Sequence, residues 1–179
     1  MTRLFVAVDL PEEIRRELGS IQSFFRQSRA RLTLVDPDII HITLKFIGEV
    51  PDSTAQEIAG ALDHVHGEPF AIRVTGISGN NPRHPRVIWA HAEDGDTCAA
   101  LHSQIEDLLA PLGVTREDRA FRAHATVARV KEFHPDLLEC MKDVRNRDFG
   151  SGMVQGFTLK KSTLTPKGPV YQNVKEVLF

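Results

Sequence analysis

Two stretches, HITLKF at 41–46 and HATVAR at 124–129, set the same polar pair, His-x-Thr, into an apolar strand pattern. His124 follows His41 by 83 positions. Val87, which opens the strand-like run VIWAHAE once Arg86 is passed, follows Leu4, which opens LFVAVDL, by the same 83. Each His-x-Thr therefore stands 37 positions after the start of a preceding strand. Between them lie Ile14, Leu18, Ile21 and Phe25 in the first half and Leu101, Ile105, Leu108 and Leu112 in the second, spacings that place apolar side chains on one helical face. Pro11 suits a first helical turn and Asp96 a cap. The correspondence continues. A helix over 52–65, with a Ser53/Gln56 capping box, is matched by one over 134–144, and 70–77 and 153–160 are strands at the same offset. A period of this length is too long for a solenoid repeat. It constrains the chain to two copies of a strand–helix–strand–helix–strand unit. The expected fold class is α+β: two pseudo-symmetric lobes, each an antiparallel sheet backed by helices, around a central cleft. Residues 1–179 then make a single bilobal domain, with the β-forming segment PVYQNVKEVLF closing the second lobe.

Composition narrows the function classes. With 179 residues, 41% of them hydrophobic and 26% charged, the chain can bury a core without disulfide or metal staples. It has no run of ~18 apolar residues, so no membrane span is expected. The opening run is broken by Asp9 and reads as a first strand rather than a leader peptide. Cys98 and Cys140 lack ligand-like spacing and read as thiols of a cytoplasmic protein. The net charge of −2 argues against a long basic groove for duplex nucleic acid and leaves room for a small basic pocket.

Alternation along a strand puts His41, Thr43 and Lys45 on one face and Ile42, Leu44 and Phe46 on the other. If two such strands face one another about a pseudo-twofold axis, two imidazoles and two hydroxyls share a cleft. An imidazole pair can divide proton transfer near neutral pH, one accepting while the other donates. The hydroxyls can donate to phosphate oxygens, with a nearby cation offsetting charge that develops there. Such a kit can open a phosphodiester without a metal. His64 and His66 form the one His-x-His, with no third ligand at a recognisable spacing, so metal is expected at neither.

These paired motifs, with RLFVAVDLP, HITLKFIGEV, RVIWAHAE, FRAHATVARV and STLTPKGPVY around them, resemble the two-histidine phosphoesterase superfamily. Within it they are most similar to the RNA 2′,3′-cyclic phosphodiesterase family, also called 2′–5′ RNA ligases. The resemblance covers nearly the whole chain. It implies hydrolysis of RNA ends or small nucleotides carrying a 2′,3′-cyclic phosphate to 2′-phosphomonoesters, with no cofactor and no obligate protein partner. His41 would be the proton donor to the leaving 3′ oxygen and His124 the proton acceptor from water, while Thr43 and Thr126 hold phosphate oxygens. Ligation through a 2′–5′ linkage, the reverse reaction with a 5′-hydroxyl in place of water, is one alternative as the main activity. A nucleotide- or RNA-end binding module without turnover is the alternative from another class.

The family pattern also implies a phosphate contact from Arg129 and a base platform at Phe46, which stands 83 positions before it. Strict alternation opposes both, pointing Arg129 away from His124 and Phe46 into the core. A bulge or a strand end would be needed to turn Arg129 round. Lys45 has the parity of His41 and is read as a solvated lysine or a cleft residue. Trp89 is expected in the core, Arg83 and Arg86 in a solvated loop, and Lys167 at the cleft margin.

Overall fold

The computed structural model describes residues 1–179. Nine strands form one antiparallel sheet: β1 (Thr2–Asp9), β2 (Arg31–Leu34), β3 (His41–Val50), β4 (Phe70–Gly79), β5 (Val87–Glu93), β6 (His124–Glu132), β7 (Asp148–Val154), β8 (Gly156–Thr165) and β9 (Gly168–Leu178). The helices are α1 (Glu12–Ser20), α2 (Gln22–Phe25), α3 (Asp52–Ala61), α4 (Thr97–Leu109) and α5 (Asp136–Lys142). The α+β class read from the sequence holds. No helix is long and apolar enough to cross a membrane.

The strand order is β7-β4-β5-β6-β3-β1-β8-β9, with β2 also pairing with β6. At its centre β6 and β3 are bridged by one residue pair, Ile42 opposite Ala125. The sheet thus divides into two halves that touch along the strands carrying the His-x-Thr motifs. One half is β3-β1-β8-β9 and the other β7-β4-β5-β6 with β2.

This order corrects the expected assignment of the closing strands. β4 follows β3 in the chain, yet it pairs with β5 and β7 in the other half. β8 and β9 follow the second motif, yet β8 pairs with β1, so PVYQNVKEVLF closes the half that contains His41. Apolar alternation defines a strand and its buried face and carries no information about which edge it joins. The helices are traded as well: α1 packs against β7, and α4 packs against β3. A single cluster of 35 buried apolar residues runs through both halves, so neither has a core of its own.

Two caps also differ from expectation. α3 begins at Asp52 behind Pro51 without the Ser53/Gln56 box, because the fixed φ of Pro51 starts the helix earlier. Asp96 sits at the N-cap of α4 with φ 63° and makes no side-chain cap bond. Asp94 does that work, its Oδ2 accepting from the Cys98 N–H at 2.7 Å.

Candidate active site

His41 and His124 each stand at the first position of the strand that borders the junction. Both rings are tethered alike. The His41 Nδ1–H donates to the carbonyl of Ile39 at 2.8 Å, and the His124 Nδ1–H donates to that of Arg122 at 2.8 Å. A backbone carbonyl two residues upstream thus fixes the orientation of each imidazole and leaves Nε2 as the nitrogen available for chemistry. At His41 that nitrogen accepts from the Thr43 hydroxyl at 3.0 Å.

Alternation then breaks, at equivalent places in the two strands. In β3 the partner of Thr43 is Ala7 and the partner of Lys45 is Val6, so Leu44 is an extra residue. In β6 the partner of Thr126 is Trp89 and that of Ala128 is Ile88, so Val127 is extra. Each is a β-bulge, which lets two successive residues point into the core and reverses the parity of the residues that follow; in β3 a second shift at Ile47 ends that reversal. Leu44 and Lys45 are both buried, as are Val127 and Ala128. Phe46 and Arg129 emerge instead on the exposed side.

Three sequence readings change in consequence. Phe46 does not fill the core: it is 61% exposed, 6.3 Å from the Phe5 ring, which in turn lies 5.1 Å from the ring of His41. Lys45 is neither solvated nor on the His41 face. It is 1% exposed, ion-paired with Glu106 of α4, and donates to the Thr115 carbonyl at 2.7 Å. Arg129 acquires the bulge its reading required. Its guanidinium lies close enough to His41 and Tyr171 to oppose a positive charge on the first and favour a negative one on the second.

Other residues border the imidazoles that alternation did not single out. Tyr171 of β9 packs edge-on against His41 at 5.5 Å and against Phe5 at 4.8 Å. Only the traded closing strand brings it there, so no signal in the sequence marked it. Asp9 stands directly across the ladder from His41 and pairs with Lys160 at 2.9 Å, whose ammonium also donates to Asn173 at 2.9 Å. Across from His124 stands His91. Trp89 is half-buried rather than core, its indole 4.5 Å from the His124 ring. Its Nε1–H donates to Ser78 Oγ at 3.1 Å, and the Ser78 hydroxyl shares a hydrogen bond with His91 Nε2 at 2.7 Å. The strand pattern of VIWAHAE, with Trp89 and His91 at the same parity, was the available signal for this triad.

Electrostatics separate the two sides. Burial, the leading influence, holds the His41 imidazole below its usual value of 6.5. The Ile39 carbonyl and the Asp9 carboxylate oppose that shift, while Lys160 and Arg129 reinforce it. His91 is also lowered, first by burial and then by the charges of His124 and Arg122. Burial raises the Tyr171 hydroxyl.

The remaining candidates lie elsewhere. Arg83 and Arg86 are exposed in the loop before β5, where Asn81 and Asn80 bond their backbone amides. Lys167 is exposed in the β8–β9 turn. His64 and His66 are exposed after α3, and no group of three or more His, Cys, Asp or Glu side chains is placed to hold a metal ion. Cys98 is buried and free, and burial pushes its thiol far up.

A family model described as LigT like phosphoesterase matches residues 8–89 and again 92–171. An RNA 2′,3′-cyclic phosphodiesterase of Archaeoglobus fulgidus is 36% identical over 97% of this chain and 98% of its own length. One from Methanocaldococcus jannaschii is 36% identical over 97% of this chain and 99% of its own. The crystal structure of TT0787 of Thermus thermophilus is 33% identical, covers 98% of this chain and 97% of its own, and aligns with a TM-score of 0.78. E. coli LigT complexed with 3′-AMP, at 23% identity, shares the fold with a TM-score of 0.79 over 99% of this chain and 97% of its own. The chain belongs to the LigT-like phosphoesterase family.

Proposed function

We propose that this protein hydrolyses 2′,3′-cyclic phosphate ends of RNA to 2′-phosphomonoesters, with His41 and His124 as the acid and base. The matching tethers on the two rings carry the reading. With each Nδ1–H bound to a carbonyl, each Nε2 can exchange a proton with substrate without the ring turning. Water attacks phosphorus and its proton passes to His124 Nε2. The bond from phosphorus to O3′ breaks, and O3′ takes the proton from His41 Nε2, leaving a 3′-hydroxyl and a 2′-phosphate. Protonated His41 no longer accepts from Thr43, so that hydroxyl is free to donate to a phosphate oxygen. Thr126 and Arg129 complete the phosphate contacts, and Phe46 offers its exposed ring to the base.

No step in this scheme passes through a metal or cofactor, and the two halves act as copies of one unit joined in a single bilobal domain. The free, buried thiol of Cys98 fits a cytoplasmic setting. The test is incubation of the EDTA-treated protein with an oligoribonucleotide ending in a 2′,3′-cyclic phosphate, with the end group assigned by mass and phosphatase sensitivity. Conversion to a 2′-phosphate is expected. A 3′-phosphate would reverse the leaving group, a requirement for added divalent ion would overturn the metal-free scheme, and no conversion by folded protein would favour a binding module.

A further inference from the structure

Both bulges are held from behind by a buried polar side chain. The Leu44 carbonyl, on the extra residue of β3, accepts from His102 Nδ1–H at 2.7 Å. The Val127 carbonyl, on the extra residue of β6, accepts from the Val35 N–H at 3.0 Å and from Gln22 Nε2 at 3.2 Å, and the same Gln22 amide donates to Val35 O at 2.6 Å, so Gln22 brackets the bulge together with Val35. His102 is 8% exposed and Gln22 5%, so neither reaches the site. Each bulge is pinned by a helix that follows a strand of the other half: His102 belongs to α4, which follows β5, and Gln22 opens α2, which follows β1 and α1.

The arrangement at Leu44 is the fuller one. His102 and Glu106 lie one turn apart on α4. Between them they take the carbonyl of Leu44 and the ammonium of Lys45, two consecutive groups of the bulge. Buried carbonyls and ammonium groups need partners, so a core that supplies these two favours the bulged register over the regular one. In the regular register Lys45 would return to the face of His41 and Phe46 would be buried.

We propose that His102 and Gln22 are positioning residues that hold the bulges, and through them set Phe46 against the base and Arg129 against the phosphate. This rests on the phosphodiesterase reading above and adds residues that touch no substrate. It predicts separate kinetic signatures. Loss of the His102 bond weakens recognition of the base alone, whereas loss of the Gln22 bond weakens handling of any cyclic phosphate.

The experiment compares adenosine 2′,3′-cyclic phosphate with the same ribose cyclic phosphate bearing hydrogen in place of the base. His102→Leu is expected to raise KM for the adenosine substrate by about 5-fold or more, within the range that base–aromatic stacking supplies, and to leave the baseless substrate unchanged. His102→Asn, whose amide N–H lies near the position of Nδ1, restores KM. In a Phe46→Ala background His102→Leu adds nothing further. Gln22→Leu lowers kcat/KM for both substrates, and adds nothing in an Arg129→Ala background. Where a leucine variant does not fold, His102→Gln or Gln22→Met replaces it. Equal effects of His102→Leu on both substrates, no effect on either, or failure of Asn to restore KM would each overturn the proposal. A further readout needs no turnover: the nuclear Overhauser contact between the Phe5 and Phe46 rings persists in wild type and His102→Asn and disappears in His102→Leu or Gln. If wild type hydrolyses neither substrate the phosphodiesterase reading fails, and this contact alone decides the role of His102.

Discussion

His41 and His124 share a motif and a tether, and they differ in what faces them across the ladder. Asp9 opposite His41 favours the charged imidazole there, whereas the residue opposite His124 is a second imidazole, His91, which burial and then the charges of His124 and Arg122 hold below its usual value. The Asp9 carboxylate suits the proposed role of His41 as proton donor, acting against the larger effect of burial. Replacing either His41 or His124 with alanine is expected to lower kcat by ~10²–10⁴-fold, the usual contribution of a general acid or base, with thermal unfolding little changed; near-normal turnover by a folded variant would remove that residue from the mechanism. The acid must hold its proton, so kcat/KM falls as pH rises through the His41 pKa of the free enzyme. Burial lowers that pKa from 6.5, which puts the alkaline limb below pH 6.5. Asp9→Asn removes an influence that raises it and leaves the Lys160 charge unpaired, and both changes move the limb to lower pH. A limb that stays in place or moves up in this variant would separate it from His41.

At the scale of the strand, the bulges decide which side chains emerge on the exposed side beyond each His-x-Thr. Alternation read from the sequence keeps His41 with Thr43, and His124 with Thr126, on one face of each strand, because all four precede the extra residue. It failed for Lys45 and Phe46, which follow it. A bulge is chosen by the partners that the rest of the fold supplies to it, here His102, 58 positions from Leu44, and Glu106 one turn further on, and local pattern contains no trace of them. Arg129 was the informative conflict, since its reading demanded a bulge that periodicity did not show. The buried Lys45–Glu106 pair has its own consequence for stability. Lys45→Met leaves the Glu106 carboxylate buried without its counter-charge and should cost about 3–5 kcal/mol, read from urea unfolding. Adding Glu106→Leu should recover most of that loss. A Lys45→Met variant as stable as wild type would mean that water or a relaxed Glu106 replaces the pair.

For the whole molecule, the 83-residue offset made the α+β class and the two motif strands legible, and left the trade of closing strands hidden. Tyr171 shows what that cost: the sequence assigned its strand to the wrong half, so its place beside His41 could not be read. The trade also governs how the chain can be divided. Fragment 1–80 contains β4 without either of its partners and β1 without β8, and fragment 81–179 contains β8 and β9 without β1. Each fragment alone is expected to lack protected amides in hydrogen exchange, and an equimolar mixture to regain them. A fragment that unfolds cooperatively by itself would show that one half is self-sufficient. The same topology sets the response to mechanical load. β1 and β9 both lie antiparallel to β8 and flank it, so they run in the same direction. Tension applied at Thr2 and Leu178 therefore pulls the two outer strands past β8 in shear, loading their ladders side by side instead of unzipping them one bond at a time. The half of the sheet that carries His124 hangs outside that line of force, braced but unloaded, while the three strands at the ends of the chain act as its clasp.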